Sequence, residues 1–149
     1  KNKGDYIAQA LKEYDKRLNK YVSFHLQELS TIKGSRKFSG DEIREKEGQI
    51  LLKALPKESS VILLDEQGKQ MNSGGFAKWL QQMMNSSIRN LVFVVGGAYG
   101  FSDKLYEKAD MKLSLSKMTF SHQIARIVFM EQLYRAFTII KGEPYHHSK

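Results

Sequence analysis

The stretch Leu91–Gly100, which reads LVFVVGGAYG, decides the fold of this chain. Its first five residues are all apolar and mostly β-branched, a pattern typical of a strand that is buried on both faces. The run Val61–Leu64 repeats this pattern, and Met111–Leu115 predicts a shorter third strand. Between the first two strands, Phe76–Met83 has the apolar spacing of a helix. Strands that alternate with helices predict an α/β fold with a largely parallel sheet.

The N-terminal part of the chain predicts one helix and one further strand. Apolar residues recur at helical spacing over Tyr6–Leu18, and Asp5 is available as the N-cap. Apolar and polar residues then alternate over Val22–Leu26, which predicts a half-buried strand.

Two later helices carry clear start signals. Ser39 followed by Glu42 has the form of a capping box, and the helix behind it ends before Pro56. Ser121 is the expected N-cap of a long last helix, His122–Ile140. The candidate core residues of this last helix are Ile124, Ile127, Val128, Leu133 and Phe137.

Composition narrows the class of protein. The chain has 149 residues, a length that suits a single domain over 1–149. Its net charge of +8 favours a polyanionic binding partner such as nucleic acid. Many small basic domains bind no nucleic acid, so charge alone leaves both possibilities open. The chain has no cysteine, and no apolar stretch approaches the length of about 18 residues that spans a membrane. We therefore expect a cytoplasmic protein with neither disulfides nor thiolate metal sites.

Candidate chemistry lies after the predicted strands, where open parallel sheets bind ligands. The glycines at 96, 97 and 100 either leave room for a ligand against the backbone or make a tight turn. No Walker motif, Gly-x-Ser-x-Gly elbow or His-Glu-x-x-His pattern occurs, so nucleotide-hydrolysing, serine-hydrolase and metal-dependent activities are disfavoured.

The last helix carries charges within an apolar pattern. Arg126 and Glu131 could form an ion pair, or the charges could form a solvated face. Alternatively, Arg126 and Arg135 could reach an RNA site shared between two subunits. Composition does not separate these interpretations.

Five motifs follow one another along the chain with short gaps. They are Leu64-Asp65-x-x-Gly68, Phe93-Val94-Val95-Gly96-Gly97-x-x-Gly100, Leu113–Phe120 with His122-Gln123, Glu131–Ala136, and Gly142–His146. Together they resemble the bacterial ribosomal RNA large-subunit methyltransferase H family of the SPOUT superfamily. The resemblance covers nearly the whole chain from Tyr6 onward.

This resemblance implies a SPOUT-type parallel sheet with a C-terminal trefoil knot, a homodimer, and S-adenosylmethionine as the methyl donor. The implied reaction is methylation of N3 of a pseudouridine in large-subunit (23S) ribosomal RNA. The alternative is a non-enzymatic ribosome-binding or RNA-binding protein with the same fold. Family members begin with a short apolar strand, which is absent before Lys1, so the first strand of the single domain is expected to be missing.

The resemblance also assigns site residues. The cofactor-binding residues it implies are Leu64, Gly96, Leu115, Ser116, Lys117, Met118, Thr119 and Phe120. Arg135, Tyr145 and His146 are the candidate catalytic residues, and no metal ligand is expected. On this interpretation Gly96→Val fills the space of the cofactor, abolishing its binding with little loss of fold.

Overall fold

A computed structural model describes residues 4–29 and 32–147 of the chain. The helices are α1 (Gly4–Leu18), α2 (Gly40–Ala54), α3 (Ser73–Met84), α4 (Asp103–Lys108) and α5 (His122–Ile140), with a 3-10 turn at Ser35–Lys37. The strands are β1 (Ser59–Gln70), β2 (Asn90–Val95) and β3 (Met111–Ser114). These elements belong to two compact units, each built from separate stretches of the chain.

The first unit, here called the helix unit, comprises the described parts of Lys1–Leu26, Gln70–Ser87 and Met118–Lys149. Helices α1 and α3 both pack against α5. Ser121 accepts a hydrogen bond from the Ile124 amide at 3.3 Å, so the predicted N-cap of α5 is confirmed. The core of the unit contains Leu11, Leu18, Phe76, Leu80, Phe129, Met130, Leu133 and Phe137.

The second unit, here called the strand unit, comprises Gln27–Lys69 and Ile88–Lys117 where these are described. Its strands lie in the order β2-β1-β3, and β1 and β2 are parallel, as the sequence predicts. Val61, Leu63, Val94, Phe101 and Leu105 form its buried cluster. Ser39 and Glu42 form the predicted capping box of α2.

Three expectations about local structure are wrong. Asp5 is not the N-cap of α1, because it lies inside the first turn of the helix. Val22–Leu26 is not a strand, because backbone groups there bond back to the end of α1. The Val22 amide donates to the Leu18 carbonyl at 3.1 Å, and the Phe24 amide donates to Oδ1 of Asn19 at 3.1 Å. Ile124, expected in the core, is 42% exposed. Within the described residues no helix combines the length and the apolar character needed to cross a membrane.

Candidate active site

Two of the predicted site residues, Leu64 and Gly96, lie where the pairing between β1 and β2 ends. The parallel register aligns Leu64 with Val95, the last aligned pair, while β1 itself continues to Gln70. Asp65 and Gly96 each directly follow a member of this pair. Open parallel sheets bind ligands beyond the C-terminal ends of their strands, and Gly96 occupies that position after β2.

Asp65 is already engaged in hydrogen bonds within the strand unit. Its Oδ2 accepts from the Tyr106 hydroxyl at 2.5 Å, and its Oδ1 accepts from the Gln67 amide at 2.9 Å. Partial burial and the bond to Asp65 raise the pKa of Tyr106 to about 12. Tyr106 is therefore a neutral hydrogen-bond donor at physiological pH, and its bond to Asp65 joins α4 to β1.

The glycine-rich loop after β2 packs more closely than its sequence suggests. A Cβ at Gly96 would lie 2.8 Å from Cε1 of Phe101, whose ring is buried. A Cβ at Gly97 would lie 2.9 Å from a carboxylate oxygen of Glu47. At both positions the missing side chain therefore leaves room for a residue of the strand unit, Phe101 or Glu47. The expectation that Gly96→Val preserves the fold is wrong, because valine would collide with the Phe101 ring.

Gly100 differs from the two preceding glycines. Its φ of 78° is in the left-handed region, and no heavy atom lies within 4 Å of the position that a Cβ would take. The Gly100 amide donates to the Gly97 carbonyl at 3.2 Å, which closes the loop. Glycine is needed here for the turn, and the space next to the backbone is open.

The segment after β3 passes from the strand unit into the helix unit. Within the strand unit, Oγ of the buried Ser114 donates to the Ser116 carbonyl at 3.0 Å, while Leu115 and Ser116 are half-buried and Lys117 is exposed. The residues at 118–120 belong to the helix unit. There Thr119 is exposed, Met118 is 77% exposed and Phe120 is 42% exposed.

Arg135, Tyr145 and His146 lie together in the helix unit. Nη1 of Arg135 donates to Nδ1 of His146 at 3.1 Å, and the guanidinium carbon lies 4.9 Å from the centre of the Tyr145 ring. The three candidate catalytic residues thus form one cluster, although they come from two separate sequence motifs and Arg135 precedes His146 by eleven residues.

Glu131 holds this cluster together, a role that sequence reasoning missed. Its Oε2 accepts from Nη2 of Arg135 at 2.7 Å and from the Tyr145 hydroxyl at 2.8 Å. Its Oε1 accepts from Nε2 of Gln132 at 3.0 Å, and Gln132 in turn accepts from Ser73 of α3 at 2.6 Å. Glu131 therefore forms an ion pair with Arg135, one helical turn away.

These contacts restrict which groups can accept a proton. Burial raises the pKa of Tyr145 well above its usual range, and the hydrogen bond to Glu131 raises it further. Tyr145 is therefore a neutral donor. Because a guanidinium only donates, Nδ1 of His146 is an acceptor in its bond with Arg135, and the proton of a neutral imidazole lies on Nε2.

The C-terminal segment that carries Tyr145 and His146 is fastened to α1 and α5. The Tyr21 hydroxyl donates to Oε2 of Glu143 at 2.7 Å, and the Glu143 amide donates to the Thr138 carbonyl at 2.8 Å. The rings of Tyr134 and Tyr145 meet edge-to-face, with 4.7 Å between their centres. The segment therefore occupies a defined place on the helix unit.

Comparisons with known proteins identify related sequences over almost the whole chain. A family model with the description "Predicted SPOUT methyltransferase" matches residues 1–146. A protein of Christiangramia forsetii is 47% identical over 137 residues, which are 92% of this chain and 87% of that protein. One of Flavobacterium johnsoniae is 51% identical over 91% of this chain and 86% of its own length. One of Parabacteroides distasonis is 46% identical over 99% of this chain and 94% of its own length. All three are named "Ribosomal RNA large subunit methyltransferase H".

Proposed function

Since the chain belongs to the SPOUT methyltransferase family, we propose that it transfers a methyl group from S-adenosylmethionine to ribosomal RNA of the large subunit. The observation that carries this proposal is the identity of 47% over 92% of the chain to a relative named for that activity. The net charge of +8 supports an RNA substrate. The proposed target atom is N3 of a pseudouridine.

The proposed cofactor residues offer chemistry that suits S-adenosylmethionine. They are Leu64, Gly96, Leu115, Ser116, Lys117, Met118, Thr119 and Phe120. Within the strand unit, Leu64 and Leu115 are half-buried apolar side chains, and within the helix unit Met118 and Phe120 are exposed apolar side chains; such side chains suit a flat adenine ring. No heavy atom lies within 4 Å of the position that a Cβ would take at Gly100, so there is space for a ligand beside the loop after β2. When bound, the cofactor supplies an electrophilic methyl group, and the protein has to position the acceptor nitrogen and exclude water.

The catalytic cluster suits stabilisation of an anionic base. N3 of the target must first lose its proton to solvent water, and a nearby cation favours the deprotonated form. Hydrogen bonding to Glu131 raises the pKa of Arg135, so this residue is a permanent cation. We assign charge stabilisation to Arg135. His146 supplies an N–H donor, and Tyr145, being neutral, positions the base by contact with its ring.

Several features of the whole protein are part of the same proposal. Residues 1–149 act as one SPOUT methyltransferase domain with a C-terminal trefoil knot, as the family membership supports. The chain forms a homodimer, which the exposed apolar side chains of Met118, Phe120 and Ile124 support. Because its proposed substrate is the ribosome, the protein works in the cytoplasm. The names of the relatives favour this enzyme over a non-enzymatic RNA-binding protein.

The decisive experiment incubates the purified protein with large ribosomal subunits that carry pseudouridine and with methyl-labelled S-adenosylmethionine. We expect label in the RNA, and mass analysis of RNA fragments identifies the modified nucleotide. Calorimetric titration with S-adenosylmethionine measures cofactor binding separately. A protein that binds the subunits but neither binds the cofactor nor transfers the label would refute the proposal.

The role of Arg135 is tested in the same assay. We expect Arg135→Ala to lower methyl transfer by about 100-fold, the usual effect of removing a group that stabilises developing charge, with cofactor affinity retained. Arg89→Ala is the matched control, because Arg89 is an exposed arginine with an ion pair to Glu58. Equal transfer by the two variants would assign Arg135 a purely structural role.

A further inference from the structure

A groove in the helix unit lies beside the catalytic cluster, and apart from Tyr145 its residues have no part in the function proposed so far. It has a volume of about 740 Å³ and runs between the second half of α1 and the C-terminal segment. We call it the α1 groove and define it by Lys16, Arg17, Lys20, Tyr21, Tyr134 and Tyr145. Its volume falls in the range of small-molecule sites, about 300 to 1,000 Å³, and it is large enough for a nucleotide.

Both carboxylates that line the groove have partners. Oε1 of Glu13 accepts from Nε of Arg17 at 3.0 Å, and Glu143 accepts from the Tyr21 hydroxyl at 2.7 Å. Lys16, in the last turn of α1, and Lys20, in the turn that follows the helix, are both exposed and both line the groove. Lys16 and Lys20 are thus available to an anionic ligand, whereas Arg17 is paired with Glu13.

The remaining wall of the groove is aromatic and pre-ordered. The guanidinium carbon of Arg17 lies 5.6 Å from the centre of the Tyr14 ring and 5.2 Å from that of Tyr134. Tyr21 contacts Tyr134, with 6.1 Å between ring centres, and Tyr134 contacts Tyr145. Because these rings hold one another, little side-chain entropy is lost when a ligand packs against them.

Cations next to ordered aromatic rings are the chemistry by which proteins bind single-stranded RNA. The cations contact phosphates, and the rings stack on unpaired bases. Tyr145 belongs both to this groove and to the catalytic cluster with Arg135. A single RNA strand bound in the groove therefore leads directly to the catalytic cluster, where we propose that the reacting base binds.

We propose that the α1 groove binds single-stranded ribosomal RNA that flanks the methylated nucleotide. Lys16 and Lys20 contact its phosphates, and the tyrosines contact its bases. This inference rests on the proposed function, since it names the part of the substrate held next to the catalytic cluster.

The test is the double variant Lys16→Ala/Lys20→Ala, compared with Lys104→Ala/Lys108→Ala. The control pair has the same charge and the same spacing, and its lysines are exposed on α4. Binding of large ribosomal subunits is measured at several salt concentrations. We expect the groove variant to bind the subunits about 10-fold or more weakly. The slope of log affinity against log salt concentration should become less steep by the amount that about two phosphate contacts contribute.

Kinetics and rescue separate RNA binding from structural damage. We expect the groove variant to raise the KM for ribosomal subunits while cofactor affinity and kcat at saturating subunits stay near wild type. Lys16→Arg/Lys20→Arg should restore binding. We also expect single-stranded oligouridine to compete with the subunits for the wild-type protein more strongly than for the groove variant.

The outcomes distinguish this inference from the function on which it rests. Absence of methyl transfer by the wild-type protein would refute the proposed function, whatever the groove variant does. Normal transfer by the wild type, with equal subunit affinity and salt dependence in both double variants, would overturn the groove assignment alone. Selective competition by polyglutamate and not by oligouridine would also overturn it, in favour of an acidic protein partner.

Discussion

At the scale of single residues, the position of Glu131 on α5 explains why its partner is Arg135. Residues four apart on a helix face the same side, whereas residues five apart diverge by about 140°. Arg126 is five residues before Glu131, and Arg135 is four after it. Spacing alone therefore favours a pair with Arg135 over one with Arg126. The additional bond from Tyr145 joins residues 14 apart, and no local pattern predicts it.

Tyr106 and Asp65 give a pH-dependent prediction at the same scale. The pKa of Tyr106 is about 12 in the folded protein and about 10 in the unfolded chain. Its hydrogen bond therefore contributes fully to the free energy of unfolding below pH 10, and the contribution is lost as the pH rises through 12. We expect Tyr106→Phe to lower the free energy of unfolding at pH 8 by about 0.5 to 1 kcal/mol, with a smaller difference from wild type near pH 12.

Urea unfolding at several pH values and titration of tyrosinate absorbance measure the two effects. The control is Tyr99→Phe, since Tyr99 is 51% exposed. If the two variants lose equal stability at every pH, the bond to Asp65 does not contribute to folding.

At the scale of elements, sequence signals located the helices well because helix boundaries depend on local chemistry. The residues of α5 and the caps at Ser39 and Ser121 agree with the prediction. The short helix α4 was not predicted, although Ser102 caps it by accepting from the Leu105 amide at 3.2 Å. Its six residues are too few to show a helical period.

The loop after β2 provides a prediction for one element. A Cβ at Gly96 would lie 2.8 Å and 3.0 Å from two carbons of the buried Phe101 ring. We expect Gly96→Ala to lower the free energy of unfolding by about 1 to 3 kcal/mol, since overpacking forces the ring to move. Gly74→Ala is the control, because the nearest atom to a Cβ there is 3.8 Å away and the residue is helical.

Urea denaturation measures the loss, and a double-mutant cycle identifies its cause. If the clash with Phe101 is responsible, Gly96→Ala/Phe101→Leu loses less stability than the sum of the single variants. If the stability losses of the two single variants add up in the double variant, the clash with Phe101 is not the cause of the loss, which then lies elsewhere in the loop.

At the scale of the whole molecule, each unit draws its residues from separate parts of the chain. The proposed cofactor residues follow this division, with Leu64, Gly96 and the segment 115–117 in the strand unit and the segment 118–120 in the helix unit. The catalytic cluster and the α1 groove both lie in the helix unit. Exposed apolar residues in that unit support the proposed homodimer.

The dimer is tested by sedimentation. We expect a particle of twice the chain mass of 17.1 kDa. Met118→Lys/Ile124→Lys should shift it toward the monomer, because charges in a buried apolar interface are costly. Met84→Lys is the control, since Met84 is an exposed methionine of the same unit, 44% exposed. A monomeric wild type at micromolar concentration would contradict the proposed dimer.

The sequence by itself determined what depends on neighbours along the chain or on the order of its motifs. The strands around Val61–Leu64 and Leu91–Val95, the capping box at Ser39, the N-cap at Ser121 and the resemblance to one methyltransferase family are of this kind. Tertiary structure decided what the glycines at 96 and 97 face, which residue holds Arg135 and Tyr145, and how α1 and the C-terminal segment form a basic aromatic groove. These features join residues far apart in sequence. Their positions follow from packing in three dimensions, which no local periodicity encodes.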